Sequence, residues 1–187
     1  MPLLFLLLWL NALFLATGDA RPLDLAELLI YNSGNAAPPP QFVYAAHDQT
    51  LFVNFFATSE QYLRVGREAV RASQRTEFPR SSDIELRIEP DKPMIFTLAV
   101  RLPAWSLGQV TWSDRYRFEY PEVAASTLIV NGQAVRMTLD RGFAKVTREW
   151  RSGDVVHVYF PMPEHRLLPI DARCGAVQRG PIISCRG

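Results

Sequence analysis

The feature that most constrains this chain is the cadence of its second half, where short apolar or alternating runs are cut by turn chemistry about every ten residues. Leu128-Ile129-Val130 ends at Asn131-Gly132, a pair suited to a type I′ hairpin because both central residues take positive φ. Arg141-Gly142 and Ser152-Gly153-Asp154 close the next two runs, and Gln178-Arg179-Gly180-Pro181 closes a later one. Between them Val156, Val158 and Phe160 share one face of a strand, with Val155, His157 and Tyr159 on the other. Short strands at this spacing predict an antiparallel sandwich or barrel.

The first half agrees from Phe42 onward. Asp83–Glu89 alternates, placing Ile84, Leu86 and Ile88 inward and Asp83, Glu85, Arg87 and Glu89 toward water. After the Pro90-Asp91-Lys92-Pro93 turn, Met94–Leu102 alternates again with Phe96, Leu98, Val100 and Leu102 inward. A lone sheet would leave such a face wet, so two sheets should stack, each large buried side chain contributing ~1.5–3 kcal/mol. The fold class expected is all-β: an antiparallel β-sandwich, jelly-roll-like, over residues 42–187.

Two segments precede it. Residues 1–20 read as a leader: Pro2 to Ala16 is almost wholly apolar, with Asn11 the only strong interruption, a run too short for a membrane span of ~20 residues but suited to a signal-peptide core with a cut after Ala20. That leader implies a secreted or periplasmic protein, although no Lys or Arg precedes the apolar run. Within residues 21–41, Leu23–Tyr31 reads as a short helix capped by Asp24 with a stripe of Leu25, Leu28 and Leu29. The prolines Pro38, Pro39 and Pro40 then form an extended linker.

Residues 107–126 break the strand rhythm and mix aromatics with charges, which predicts a protruding hairpin. Trp112, Tyr116 and Tyr120 there are the candidate carbohydrate-binding residues, since flat rings with polar edges stack on sugar faces. The competing reading packs them on the sandwich or on a partner domain.

Other chemistry is sparse. Net charge is +1, so nothing points to nucleic acid. His47, His157 and His165 are not at metal-ligand spacing, and Cys174 and Cys185 match neither a zinc ribbon nor a redox CxxC. The two cysteines read as one disulfide in an exported protein or as two buried thiols. Glu85, Glu89, Glu149 and Asp154 lie on polar strand faces or in turns, and no spacing marks a catalytic carboxylate pair.

Several segments together resemble a known family. Leu51-Phe52-Val53-Asn54-Phe55-Phe56 is similar to an L-Y-V-N-L-Y strand, Gln74-Arg75-Thr76-Glu77-Phe78-Pro79 to Q-x-T-x-Y-P, and Arg101-Leu102-Pro103-Ala104-Trp105 to R-I-P-A-W. With VNG, GF, REW-SGD, FPMP and RGP following in order, Asp24–Cys185 resembles the β-sandwich beyond the catalytic barrel of β-L-arabinofuranosidase-type glycoside hydrolases, family 127.

The resemblance implies retaining hydrolases with a zinc-bound cysteine nucleophile and a glutamate acid/base. Their Cys-Cys-Pro-x-Asn segment falls on Ala20, Arg21, Pro22, Leu23 and Asp24, and neither Ala20 nor Arg21 ligates zinc or attacks carbon. Cys185 matches a family cysteine remote from the catalytic pair. No catalytic residue, metal ligand or cofactor is therefore assigned. The role expected is a non-catalytic accessory domain or fragment whose partner is a separately encoded (α/α) barrel, with an exposed face that favours self-association. A carbohydrate-binding module for arabinose-containing glycans, and a residual arabinofuranoside hydrolase, are the alternatives.

Overall fold

The computed structural model of the chain describes residues 3–34, 37–111, 115–120, 125–169 and 175–185. These residues form a mostly β structure of three sheets, with two helices at the N-terminal end.

The helix α1, Leu3–Thr17, is a run free of glycine, proline and charge, and it stops at Gly18, whose φ is 66°. The helix α2, Arg21–Asn32, carries Pro22 in its first turn, where a missing N–H costs nothing. The one-turn helix α3, Pro40–Val43, begins at the last proline of the triplet.

Three strands of the first sheet follow as β1 (Tyr44–His47), β2 (Thr50–Val53) and, later, β6 (Met94–Arg101). Between β2 and β6 the chain builds β3 (Ser59–Val65), β4 (Glu68–Thr76) and β5 (Asp83–Pro90). A 3₁₀ turn, Ala104–Leu107, precedes β7 (Tyr116–Phe118), β8 (Thr127–Val130) and β9 (Gln133–Ala134). The rest are β10 (Thr138–Asp140), β11 (Phe143–Trp150), β12 (Asp154–Tyr159), β13 (Glu164–Pro169), β14 (Ala176–Arg179) and β15 (Ile182–Cys185).

The sheets run β1-β2-β6-β11-β10, β3-β4-β5-β12-β8-β9 and β15-β14-β13-β7. Every pairing is antiparallel except β2 with β6, where Leu51 stands opposite Leu98 in parallel register. That exception corrects the expectation of a purely antiparallel fold. The chain leaves the first sheet after β2, builds β3, β4 and β5 in the second, and returns beside β2 in the same direction, as a crossover requires. The third sheet is a further departure from two stacked layers. The segment expected to be a hairpin of its own instead gives β7, which takes the free edge of β13 with Phe118 opposite Leu167.

The turn signals hold. Asn131 and Gly132 join β8 to β9 with φ of 51° and 78°. Arg141 and Gly142, at 50° and 82°, join β10 to β11. The alternation holds as well: Ile84, Leu86 and Ile88 from β5, Phe96, Leu98 and Val100 from β6, and Val156 and Val158 from β12 enter one buried cluster between the two larger sheets.

A second cluster lies on the outer side of the first sheet. Leu7, Leu10 and Phe14 of α1, Leu23, Ala26 and Ile30 of α2, and Phe55, Ala99 and Phe143 make it. Phe14 sits 5.5 Å from Phe52 and 5.8 Å from Phe143, ring centre to ring centre. The apolar leader is thus helical and packed on the sheet. The stripe on α2 also differs from expectation: Leu23, Asp24, Ala26, Glu27 and Ile30 are buried, while Leu25, Leu28 and Leu29 are only partly so.

Candidate functional site

The most concentrated chemistry lies where α2 meets the end of β6. Asp24 and Glu27 stand three residues apart on α2, one turn of the same face. Both point at Arg101, the last residue of β6, whose side chain is 0% exposed. The guanidinium Nη1 donates to Asp24 Oδ1 at 2.7 Å, Nη2 donates to Glu27 Oε1, and Nε donates to the carbonyl of Asn54 at 2.5 Å. Its plane also lies over the rings of Phe55 and Phe56, 5.4 and 5.8 Å from their centres.

The carboxylates have further donors. Trp105 Nε1 donates to Glu27 Oε2 at 2.9 Å, and the Ala104 N–H donates to Asp24 Oδ1 at 3.2 Å. The 3₁₀ turn after Pro103 therefore presents both a backbone and a ring N–H to α2. Asp24 is not the helix cap; that position belongs to Ala20, which makes no side-chain cap bond.

Two buried acids face one buried base, so the cluster carries an excess negative charge when all three are ionised. Burial pushes Asp24 up to about 7; Arg101 pulls it back and the neighbouring Glu27 adds to the rise. Burial also opposes the charge on Arg101, but Glu27 and Asp24 outweigh it and raise the guanidinium above its ordinary value. Tyr31 is raised too, by burial first and then by Glu27.

Beside Asp24 opens a shallow cleft of about 280 Å³, lined by Ala20, Arg21, Leu102, Ala104, Arg141 and Gly142 among others. The elbow between α1 and α2 is fixed there: Ala20 N–H donates to the Arg141 carbonyl at 2.9 Å, and Arg141 Nη1 donates to the Thr17 carbonyl at 2.6 Å. A Cβ on Gly142 would lie 2.6 Å from that of Ala20, so the close approach needs glycine. Arg21 turns outward and pairs with Asp19 at 2.6 Å.

The residues singled out for sugar stacking lie elsewhere. Tyr116 is 45% exposed on β7 and Tyr120 is 71% exposed just beyond it; Trp112 lies outside the described residues. No ring contact joins Tyr116 to Tyr120 among the described residues, whereas Phe118 between them is buried against His165 at 4.9 Å. His47 is exposed and pairs with Asp48 at 3.5 Å. Cys174 lies outside the described residues. Among those described, no group of three His, Cys, Asp or Glu is placed to hold a metal ion. Sequence reasoning passed over Glu27 and saw Arg101 and Trp105 only as motif letters. The available signal was two acids at i and i+3 flanked by Leu23, Ala26 and Ile30 on an otherwise apolar helix face.

Residues 50–162 match the family model described as the β-L-arabinofuranosidase GH127 middle domain. The chain belongs to that family. The solved GH127 β-arabinofuranosidase BT3674 is 26% identical, with a TM-score of 0.86 over 97% of this chain and 36% of its own. A GH127 β-L-arabinofuranosidase from Geobacillus stearothermophilus T6 superposes at 0.79 with 21% identity, over 95% of this chain and 34% of its own. A third structure, titled glycoside hydrolase, superposes at 0.76 with 20% identity, over 97% and 36%. No curated protein sequence matches the chain. The chain thus spans about a third of the length of the solved structures it matches, and no catalytic barrel is among its described residues.

The zinc and thiolate that the family resemblance implies do not fit here. At the positions laid on the cysteine pair, Ala20 is a buried methyl wedged against Gly142 and Arg21 is a solvent-facing cation. Neither offers a lone pair to zinc, so no hydrolytic step is derived through that group.

Proposed function

We propose that the chain provides a non-catalytic accessory β domain of a GH127-type glycoside hydrolase, its two larger sheets forming a jelly-roll-like sandwich that supports the enzyme's catalytic barrel. The observation that carries this reading is coverage: 97% of this chain superposes on 36% of BT3674. The replacement of the expected thiolate pair by Ala20 and Arg21 supports it. In this reading the Asp24–Arg101–Glu27 cluster is structural, a polar lock that holds α2 at a fixed angle on β6. The purified chain, with and without zinc, should leave a chromogenic arabinofuranoside intact; turnover above buffer would overturn the assignment.

Exposure of Tyr116 and Tyr120 favours one second reading, a carbohydrate-binding surface made with Trp112. Titration with arabinan oligosaccharides should then give saturable binding that Trp112→Ala or Tyr120→Ala abolishes, and a flat titration would remove it.

We also read Leu3–Thr17 as a retained part of the fold, on the burial of Leu7, Leu10 and Phe14. Intact-mass measurement decides between this and export: a cleaved leader leaves a chain beginning at Arg21.

A further inference from the structure

The outer face of the second sheet, turned away from the core, divides into two halves of different character. On the β3 side Arg71 is clamped between Glu60 and Glu89, each at 2.7 Å. On the β12 side Arg75 stands opposite Glu85 on β5, yet Glu85 accepts from Arg87 instead, at 3.0 Å from its Nε. Arg75 is exposed and makes no hydrogen bond or ion pair among the described residues. His157 and Tyr159, two residues apart on β12 and so on one face, are also exposed and have no hydrogen-bond or ring partner there.

The strand registers set these side chains in a grid. Arg75, Glu85, His157 and Ile129 lie abreast on β4, β5, β12 and β8, and Asp83, Tyr159 and Thr127 form the next row. At ~4.8 Å between neighbouring strands the first row is about 14 Å across. Two clefts of about 490 and 390 Å³ open over the grid and meet at Arg75 and Asp83, which line both. An acid and a base thus border the same open space without closing it with a salt bridge.

The lining selects the ligand. Tyr159, 45% exposed, offers a flat ring with a polar edge between Asp83 and Thr127. Around it Arg75 only donates hydrogen bonds, Asp83 and Glu85 only accept them when ionised, and His157 and Thr127 do both. A sugar ring matches that mixture, since its C–H face stacks on an aromatic ring and its hydroxyls donate and accept. The acids Glu77, Asp83 and Glu85 outnumber Arg75 along the clefts, which disfavours an anion.

We propose that the outer face of the second sheet, centred on Tyr159, Asp83 and Arg75, binds a neutral oligosaccharide. This surface lies on a different sheet from Tyr116, which belongs to β7 in the third sheet. It goes beyond the accessory-domain reading and does not depend on it.

The test is calorimetric titration of the full chain with pentasaccharides of arabinan, xylan and mannan. The parent should bind at least one of them saturably. Tyr159→Ala should weaken that binding by about tenfold or more through the lost stacking, while Tyr159→Phe keeps the ring and stays close to the parent. Arg75→Ala should cost about threefold to tenfold as one lost hydrogen-bonding partner. Both altered positions are exposed, and each variant is checked for an unchanged melting temperature. Tyr62→Ala, at a tyrosine 70% exposed on the clamped half of the same face, and Tyr120→Ala, beside the third sheet, should both match the parent. Flat titrations with all three sugars overturn the proposal. So does binding that survives Tyr159→Ala, or that Tyr62→Ala or Tyr120→Ala abolishes instead. Tighter binding of a pentagalacturonate would make the ligand an anion and overturns it as well. None of these outcomes touches the accessory reading, which the turnover assay decides.

Discussion

The two faces of β6 make different demands on the same eight residues. Phe96, Leu98 and Val100 look inward to a core shared by the two larger sheets, and each does its work by leaving water. Ala99 and Arg101 look outward under α1 and α2, where a small side chain admits the helices and a buried guanidinium ties one of them down. The inner face is apolar and tolerant of exchange between similar shapes. The outer face relies on a charge that is affordable only while both acids and the Asn54 carbonyl surround it. The comparison implies that failures on the outer face should be steeper and more local than failures on the inner one.

The largest expected effect is therefore Arg101→Ala. It leaves the buried Asp24 and Glu27 without their guanidinium and should cost ~3–5 kcal/mol. Denaturant unfolding should show the loss, and far-UV circular dichroism should show helical signal lost at lower denaturant than the strand signal. Leu98→Ala on the inner face should cost ~2–5 kcal/mol as transfer plus cavity, with both signals falling together. If the two variants unfold with the same profile, the faces are not separate units of stability.

Smaller, and dependent on pH, is Asp24→Asn. In the folded chain the Asp24 carboxyl is pushed up to about 7 from the usual 3.8, chiefly by burial. Between those values the folded state holds the proton and the unfolded state has released it, so this group lowers stability as pH rises from about 4 to about 7. Glu27 and Arg101 are the charged groups in contact or close to it, with Tyr31 behind Glu27. Asparagine removes the titration while keeping an acceptor for Arg101 and the Ala104 N–H. The stability of the variant relative to the parent should therefore improve between pH 5 and pH 8, by on the order of 1 kcal/mol or more, since each unit of displacement is worth ~1.4 kcal/mol. A constant difference over that range would place the proton elsewhere.

The same contrast explains what was legible in the sequence. The alternation of Ile84, Leu86 and Ile88, or of Phe96, Leu98 and Val100, is a local periodicity and reads directly as a buried face. The Asn131-Gly132 and Arg141-Gly142 turns are local too, since positive φ restricts which residues serve. The outer face depends on contacts far apart in the chain: Asp24 and Arg101 are 77 residues apart, and Glu27 and Trp105 are 78. Nothing local says that an acid on α2 is buried, and average behaviour puts it in water, which is why the sequence points to a stripe of Leu25, Leu28 and Leu29. The parallel pairing of β2 with β6 was hidden for the same reason, because it depends on where three intervening strands go. The resemblance of Arg101-Leu102-Pro103-Ala104-Trp105 to a family motif marked the right residues without revealing what they hold.

The smallest effect sharpens the comparison from the side of a polar group that sits at the surface. Asn131 is exposed, yet its side chain bridges two strands: Nδ2 donates to Asp154 Oδ1 at 2.8 Å, and Oδ1 accepts from the Val155 N–H at 2.9 Å. Asp154 keeps a second donor in the Arg151 N–H at 3.0 Å, so removing Asn131 leaves no stranded charge. Asp154 is itself only 7% exposed, but that donor stays in place, unlike at Arg101. Asn131→Gly should lose the two bonds at little backbone cost, a change of about 1 kcal/mol. Asn131→Ala loses the same bonds and forces an alanine to φ near 51°, which adds ~1 kcal/mol of left-handed strain. Thermal melts of both variants separate the contributions. Equal melting temperatures would mean the turn relaxes out of its positive-φ geometry, and that its stability comes from the side-chain bridge alone.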